Sequence, residues 1–199
     1  HRGGVRALAL IQVDEFHKAA REFRKIIPKF DVEDYPQLLS FTSKNNMPGL
    51  TFRLAAILRN DHNKILLGGL YPVPVWNIDM SNLKDKALIY AIARQESGFN
   101  PRARSSSKAM GILQIIPSTA AFIMKNREYR LRRSKNHLLY NPSHNIIIGS
   151  KYIKFLFSLP IVNNDLMWVL ASYNAGPGNF NKWTKNKSYK YNDTLLMLE

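Results

Sequence analysis

Apolar residues recur at three- and four-residue spacing along most of this chain, the period of helices with one buried face. Phe16, Ala20, Phe23 and Ile27 form one such stripe, which Asp14 is placed to cap and Pro28 to end. A second helix is expected after Pro36. A third opens at Pro48 and carries Leu50, Leu54 and Leu58. The opening residues, His1 to Leu10, read as the middle of a helical region. "GGLYPVPVW" (68–76) breaks the helical pattern and predicts an extended crossing between two parts of the chain. The next helix runs from Asp85 to Phe99, and Gly98 stops it. "GILQII" (111–116) has the length and apolarity of a small strand. Pro117 and Pro142 each open a helix, the latter bearing Ile146, Ile153 and Phe157. The segment from Asp165 to Tyr173 is apolar on most faces and is expected at the centre of the core, with Asp165 as its cap. "NAGPG" ends it, and a further helix begins at Asp193.

One position breaks the pattern. On the stripe of the 85–99 helix, Leu88 and Ile92 are followed by Glu96. Residues at i, i+4 and i+8 share a face. A carboxylate among apolar neighbours loses solvation, and the negative end of the helix dipole disfavours its anion further. Both effects favour a protonated Glu, which is able to donate a proton in catalysis. The plain alternative is a Glu that turns to solvent where the helix frays.

Composition narrows the field. The chain has 199 residues, 45% of them hydrophobic, which is ordinary for a globular protein. No apolar run reaches the roughly 18 residues that span a bilayer, so no integral membrane segment is expected. With no cysteine there is neither a disulfide nor thiol chemistry. Net charge is +15 and unevenly placed: residues 1–70 carry 11 Lys/Arg against 7 Asp/Glu, and residues 71–199 carry 18 against 7. The second part therefore attracts something anionic. The densest basic run, "NREYRLRRSKNH" (126–137), has Tyr129 inside it and reads as a solvated face. No nucleic-acid fold signature surrounds it, so no nucleic-acid partner is expected. The five His show no metal-ligand spacing and there is no phosphate-cradling loop, so neither a metal nor a cofactor is expected.

Three segments stand together: "AIARQESGFNP" (91–101), "AMGILQIIPSTA" (109–120) and "ASYNAGPGNFNKW" (171–183). In this order and spacing they resemble the catalytic domain of the soluble, Slt-type lytic transglycosylases. That family's Glu-Ser pair, Gly-Leu-Met-Gln segment and Ala-Tyr-Asn-Ala-Gly segment correspond here to Glu96-Ser97, Gly111-Ile112-Leu113-Gln114 and Ser172-Tyr173-Asn174-Ala175-Gly176. The "YPVP" at Tyr71 and "NPSHNIIIGSKYI" (141–153) are similar to the family as well. Ile112-Leu113 is a volume-conserving departure, and Lys108, Met110 and Ile116 depart also.

The resemblance implies a mainly α, lysozyme-like domain (α+β with a minimal β element) over residues 71–199. A short α-helical, solenoid-like region, 1–70, precedes it. The family continues past Glu199, so the domain is expected to be truncated at its C-terminus. The implied activity is cleavage of the β-1,4 bond between N-acetylmuramic acid and N-acetylglucosamine in peptidoglycan, with a 1,6-anhydro product. Glycan strands are then the partner, and the periplasm or cell envelope is the location inferred from that substrate. Glu96 is the implied single acid/base. Ordinary glycosidases need two carboxylates, yet Glu128, Asp165 and Asp193, the acids between Glu96 and Glu199, make no obvious second one. One carboxylate is enough if the substrate's own 2-acetamido oxygen stabilises the developing cation, as in substrate-assisted glycosidases. Ser97 either orients the Glu96 turn or caps the helix. Gln114 offers its amide to an acetamido group or to the loop backbone. Tyr173 and Asn174 bond the sugar or Glu96, unless Tyr173 is a satisfied core residue. Ser105 and Glu199 are substrate-binding by the resemblance, and Gly111 supports the motif loop. Two further readings stay open: a lysozyme-type hydrolase of the same bond, and a catalytically weak peptidoglycan-binding module.

Overall fold

The computed structural model describes residues 2–76, 83–131 and 135–186. Ten helices are described: α1 (Arg2–Gln12), α2 (Phe16–Ile26), α3 (Tyr35–Lys44), α4 (Pro48–His62), α5 (Leu67–Leu70), α6 (Leu83–Ser97), α7 (Pro117–Ile123), α8 (Pro142–Phe157), α9 (Leu166–Ala175) and α10 (Pro177–Asn186). Short 3-10 turns join several of them. The only β structure among the described residues is two isolated antiparallel bridges, Arg104 with Met110 and Met110 with Ile115.

Two apolar clusters organise the helices. The first gathers Ala7, Phe23, Leu39, Leu50, Leu54 and Leu58 from α1 to α4. Here α1 packs on α2, and α4 on both α3 and α5. The second is built from α6 to α10 around Ile92, Leu113, Ile146, Leu156 and Val169. The two meet where Phe52 of α4 lies edge-on to Phe99, their ring centroids 6.3 Å apart. Gly49 makes this approach possible: a Cβ there would stand 3.1 Å from the Gly98 carbonyl oxygen and 3.2 Å from that of Phe99.

Several expectations need correction. Asp14 does not cap α2; it sits in a turn at φ +57°, and Glu15 takes the boundary position without a capping bond. Its carboxylate instead accepts from Lys18 at 2.8 Å. Phe16 is 38% exposed, so the stripe of α2 is buried only from Ala19 onward. "GILQII" is not a strand. Gly111 at φ +79° and Gln114 at φ +47° coil it into a turn, and only its two ends bridge. Helix α6 stops at Ser97, two residues early, because Gly98 and Phe99 both turn left-handed. Helix α9 is less central than its composition suggests: Val169 and Ser172 are fully buried, while Leu166 is 48% exposed. Tyr129 is not a solvated residue of the basic run; it is buried, and its hydroxyl lies 2.7 Å from His144 Nε2. The helix expected from Asp193 lies outside the described residues.

Candidate active site

The site begins at the last turn of α6. Glu96 lies one turn beyond Ile92, as the stripe requires, and opens into a cleft of about 440 Å³. Leu88, Ile92 and Leu170 give the cleft apolar walls, and Tyr173 and Asn174 from the end of α9 face the carboxylate across it. Among the described residues no salt bridge or hydrogen bond engages the Glu96 carboxylate, and no second carboxylate lines the cleft. Burial among these walls raises its pKa above the ordinary carboxylate value. The same burial, with the Glu96 charge nearby, pushes the Tyr173 hydroxyl well above its usual range. Glu96 is therefore a carboxyl that holds its proton longer than an exposed one, with no fixed partner to take it.

The turn that carries Glu96 is tied down from behind. The single proton of Ser97 Oγ is shared between two carbonyls, Ile112 at 2.8 Å in the 110–115 turn and Ala93 at 3.1 Å in its own helix. Ser97 therefore links the last turn of α6 to the 110–115 turn. The Tyr173 hydroxyl donates to the Leu113 carbonyl at 2.6 Å, which clamps the same turn to α9. Tyr173→Phe leaves that carbonyl without its partner. The expected cost is about 1–2 kcal/mol of stability, measurable by denaturant titration.

Gln114 turns its amide inward and donates to the Gly111 carbonyl at 2.8 Å, so that part of its capacity serves the loop backbone. Ser105 accepts from the Ala109 backbone N–H at 3.0 Å and closes the 105–109 turn. Neither residue lines the cleft that holds Glu96, Tyr173 and Asn174. Gly111 is demanded by space: a Cβ would fall 2.1 Å from the Leu139 carbonyl oxygen. Glu199 lies outside the described residues.

Sequence reasoning assigned no role to Asn145, yet it organises the loop. Its side chain is fully buried on α8. Oδ1 accepts from the Leu113 N–H at 2.9 Å. Nδ2 donates to the carbonyls of Met110 at 2.9 Å and Leu139 at 2.8 Å. The signal that could have found it was its polar place before the apolar run "III" in a helix whose other buried residues are mostly aliphatic. Gly149, one turn on, lets Leu113 seat against α8, since a Cβ there would stand 2.3 Å from Leu113 Cδ1.

A helical domain with a small bridged turn behind a lone, partly buried Glu at a helix end has a lysozyme-like fold. The structure superposes on the 70 kDa soluble lytic transglycosylase of Escherichia coli with a TM-score of 0.75, covering 94% of this chain and 30% of that one at 24% identity. A family model described as "Transglycosylase SLT domain" matches residues 78–196, and the chain belongs to that family. A soluble lytic murein transglycosylase of Salmonella typhimurium is 38% identical over 98 residues, 49% of this chain and 15% of that protein. A membrane-bound lytic murein transglycosylase E of Buchnera aphidicola is 40% identical over 85 residues, 42% of this chain and 38% of that one. The chain thus spans well under half the length of these relatives. No helix among the described residues is long and apolar enough to cross a membrane.

Proposed function

We propose that the chain is a lytic transglycosylase of peptidoglycan. It cleaves the β-1,4 bond between N-acetylmuramic acid and N-acetylglucosamine and leaves a 1,6-anhydro end. The observation that carries this is the single unpartnered carboxyl of Glu96 in an apolar-walled cleft, in a chain of this family.

One carboxylate suffices if the substrate supplies the rest. Protonated Glu96 gives its proton to the leaving glycosidic oxygen. The 2-acetamido oxygen of the sugar stabilises the charge that grows at C1. Glu96, now a carboxylate, takes the proton from the C6 hydroxyl, whose oxygen closes on C1. Glu96 ends protonated again and no water is consumed. The raised pKa supports the first step, because the acid is populated closer to neutral pH. Tyr173 and Asn174 border the reacting bond from α9, with the Tyr173 proton held by the Leu113 carbonyl. Ser97 and Gly111 position the turn behind Glu96. Ser105 and Gln114 contact substrate beyond the cleft bounded by α6 and α9, and Glu199 is assigned to substrate binding by its match to the family motif. In this reading residues 71–199 carry the activity and 1–70 belong to a helical region beside it. The working location is the periplasm or cell envelope, where the polymer is. The excess of cations over residues 71–199 draws the chain to an acidic wall.

The test is a digest of isolated peptidoglycan with the soluble products weighed by mass spectrometry. Anhydro-muropeptides are expected. Reducing-end products, each heavier by one water, would move the protein to the hydrolases. Wall binding without any release would leave only a binding module.

A further inference from the structure

Helix α6 has a second working face behind the one that carries Glu96. Leu88, Ile92 and Glu96 line the cleft. Arg94 stands two residues before Glu96, about 200° away around the helix, and Tyr90 lies one turn earlier on that rear face. Both rear side chains hold carbonyls between the end of α5 and the extended crossing. Tyr90 donates its hydroxyl to the Pro74 carbonyl at 2.7 Å, and Arg94 donates its Nε–H to the Leu70 carbonyl at 2.9 Å. The Trp76 ring stands edge-on to Tyr90, the centroids 5.3 Å apart.

Arg94 does more than bond one carbonyl. Its guanidinium carbon lies 4.9 Å from the ring centre of Phe52 on α4 and 4.7 Å from that of Tyr71. A planar cation rests on aromatic rings while its edge donates in plane, and the ammonium of a lysine does not do both. Among the described residues no carboxylate lies within ion-pair distance of Arg94, so its contacts are aromatic and in-plane, not ionic. One side chain thus joins the turn that bears Glu96 to α4, to the end of α5 and to the crossing.

That turn is gripped from two sides. In front, Ser97 ties it to the 110–115 turn, which Tyr173 of α9 also holds. Behind, Arg94 ties it to the helices before the crossing. The gap between Glu96 and the α9 residues Tyr173 and Asn174 depends on both grips.

We propose that Arg94 is a positioning residue: it fixes the last turn of α6 at the depth that sets Glu96 against the reacting bond. Through it, α4 and α5 contribute to the chemistry without touching substrate. This rests on the reading of Glu96 as the acid.

The test measures initial rates on soluble glycan strands, and the titration of the Glu96 carboxyl by carbon-13 NMR, in Arg94→Lys, Tyr71→Leu and Tyr71→Phe. A misplaced catalytic group costs rate more than binding, so Arg94→Lys and Tyr71→Leu are each expected to lower kcat at least about tenfold, with KM within about twofold of native. Tyr71→Phe keeps the ring and should match the native chain. In the first two variants the Glu96 carboxyl should titrate at lower pH than in the native chain, because a released turn lets water reach it. Loss of a positive charge would move it the other way, and neither variant loses one. Tyr173, the only other titratable group lining the cleft among the described residues, stays neutral across that range. A merely structural Arg94 would lower the melting temperature and leave kcat and the Glu96 titration as in the native chain, and that result would overturn the proposal. Native behaviour in Arg94→Lys would overturn it too. A native chain that releases no anhydro product, with the Glu96 titration still shifted in both variants, would overturn the catalytic reading alone.

Discussion

Glu96→Gln is expected to lower the rate of muropeptide release by about 10²- to 10⁴-fold, the usual contribution of a positioned acid or base. Gln keeps the size of Glu but does not ionise, so it neither gives nor takes the reacting proton. The same substitution is expected to stabilise the fold near neutral pH. The native pKa of Glu96 is raised by burial, so the fold prefers the protonated form. The contribution of that carboxyl to stability is fully present below its unfolded pKa and is lost as pH rises through the raised native value. Above that value the native chain holds a desolvated, unpaired charge that Gln does not carry. Thermal melts should place Glu96→Gln above the native chain at about pH 8, with the gap closing toward about pH 4. A variant that is both inactive and more stable marks a group placed for chemistry at the expense of stability. An inactive variant that melts lower than the native chain at all pH values would make Glu96 a structural residue. Activity itself should fall as pH rises through the same raised pKa, since the acid must enter the reaction protonated.

The second large effect is expected at Asn145. Asn145→Ala removes one acceptor and two donor bonds from a fully buried site and strands the Leu113 N–H and the carbonyls of Met110 and Leu139. At about 1–3 kcal/mol for each stranded buried group, discounted for relaxation, the expected loss is about 3 kcal/mol or more. For a chain of this size that is a fall in melting temperature of roughly 6–12 °C. The loop held by Asn145 also receives Ser97 and Tyr173, so activity should fall more than the folded fraction does. Asn145→Asp is the informative companion: it keeps the acceptor for Leu113 but sets its second oxygen against two carbonyls. It should lie near Asn145→Ala. A shift under 2 °C for both would show that the loop is held by its apolar residues alone.

The parts of the site legible in the sequence were those with local causes. The place of Glu96 followed from the stripe of Leu88 and Ile92, and the cap of α9 from Asp165, which accepts from the Met167 N–H at 2.7 Å. Pro117 and Pro142 each stand at the first turn of a helix, as proline should. What stayed hidden was set by distant partners. Asn145 bonds residues 32 and 35 positions away, which no periodicity records. The coiling of 111–116 was hidden for another reason. Its apolar composition is that of a strand, but left-handed turns at Gly111 and Gln114 reverse it, and a bridged turn of this length shows no alternation to read. Asp14 misled because a capping residue and a turn residue are drawn from the same few types.

The seam at Gly49 limits how such proteins can be assembled. The carbonyls of Gly98 and Phe99 rest so close to the start of α4 that a methyl group at Gly49, 3.1 and 3.2 Å from them, would push them back by a few tenths of an ångström. A helical scaffold recruited from elsewhere would present either bare backbone at this one point or a side chain that shifts the residues just after Glu96 by a few tenths of an ångström. Grafting the lysozyme-like part onto a new neighbour is thus a problem of one residue before it is a problem of one surface.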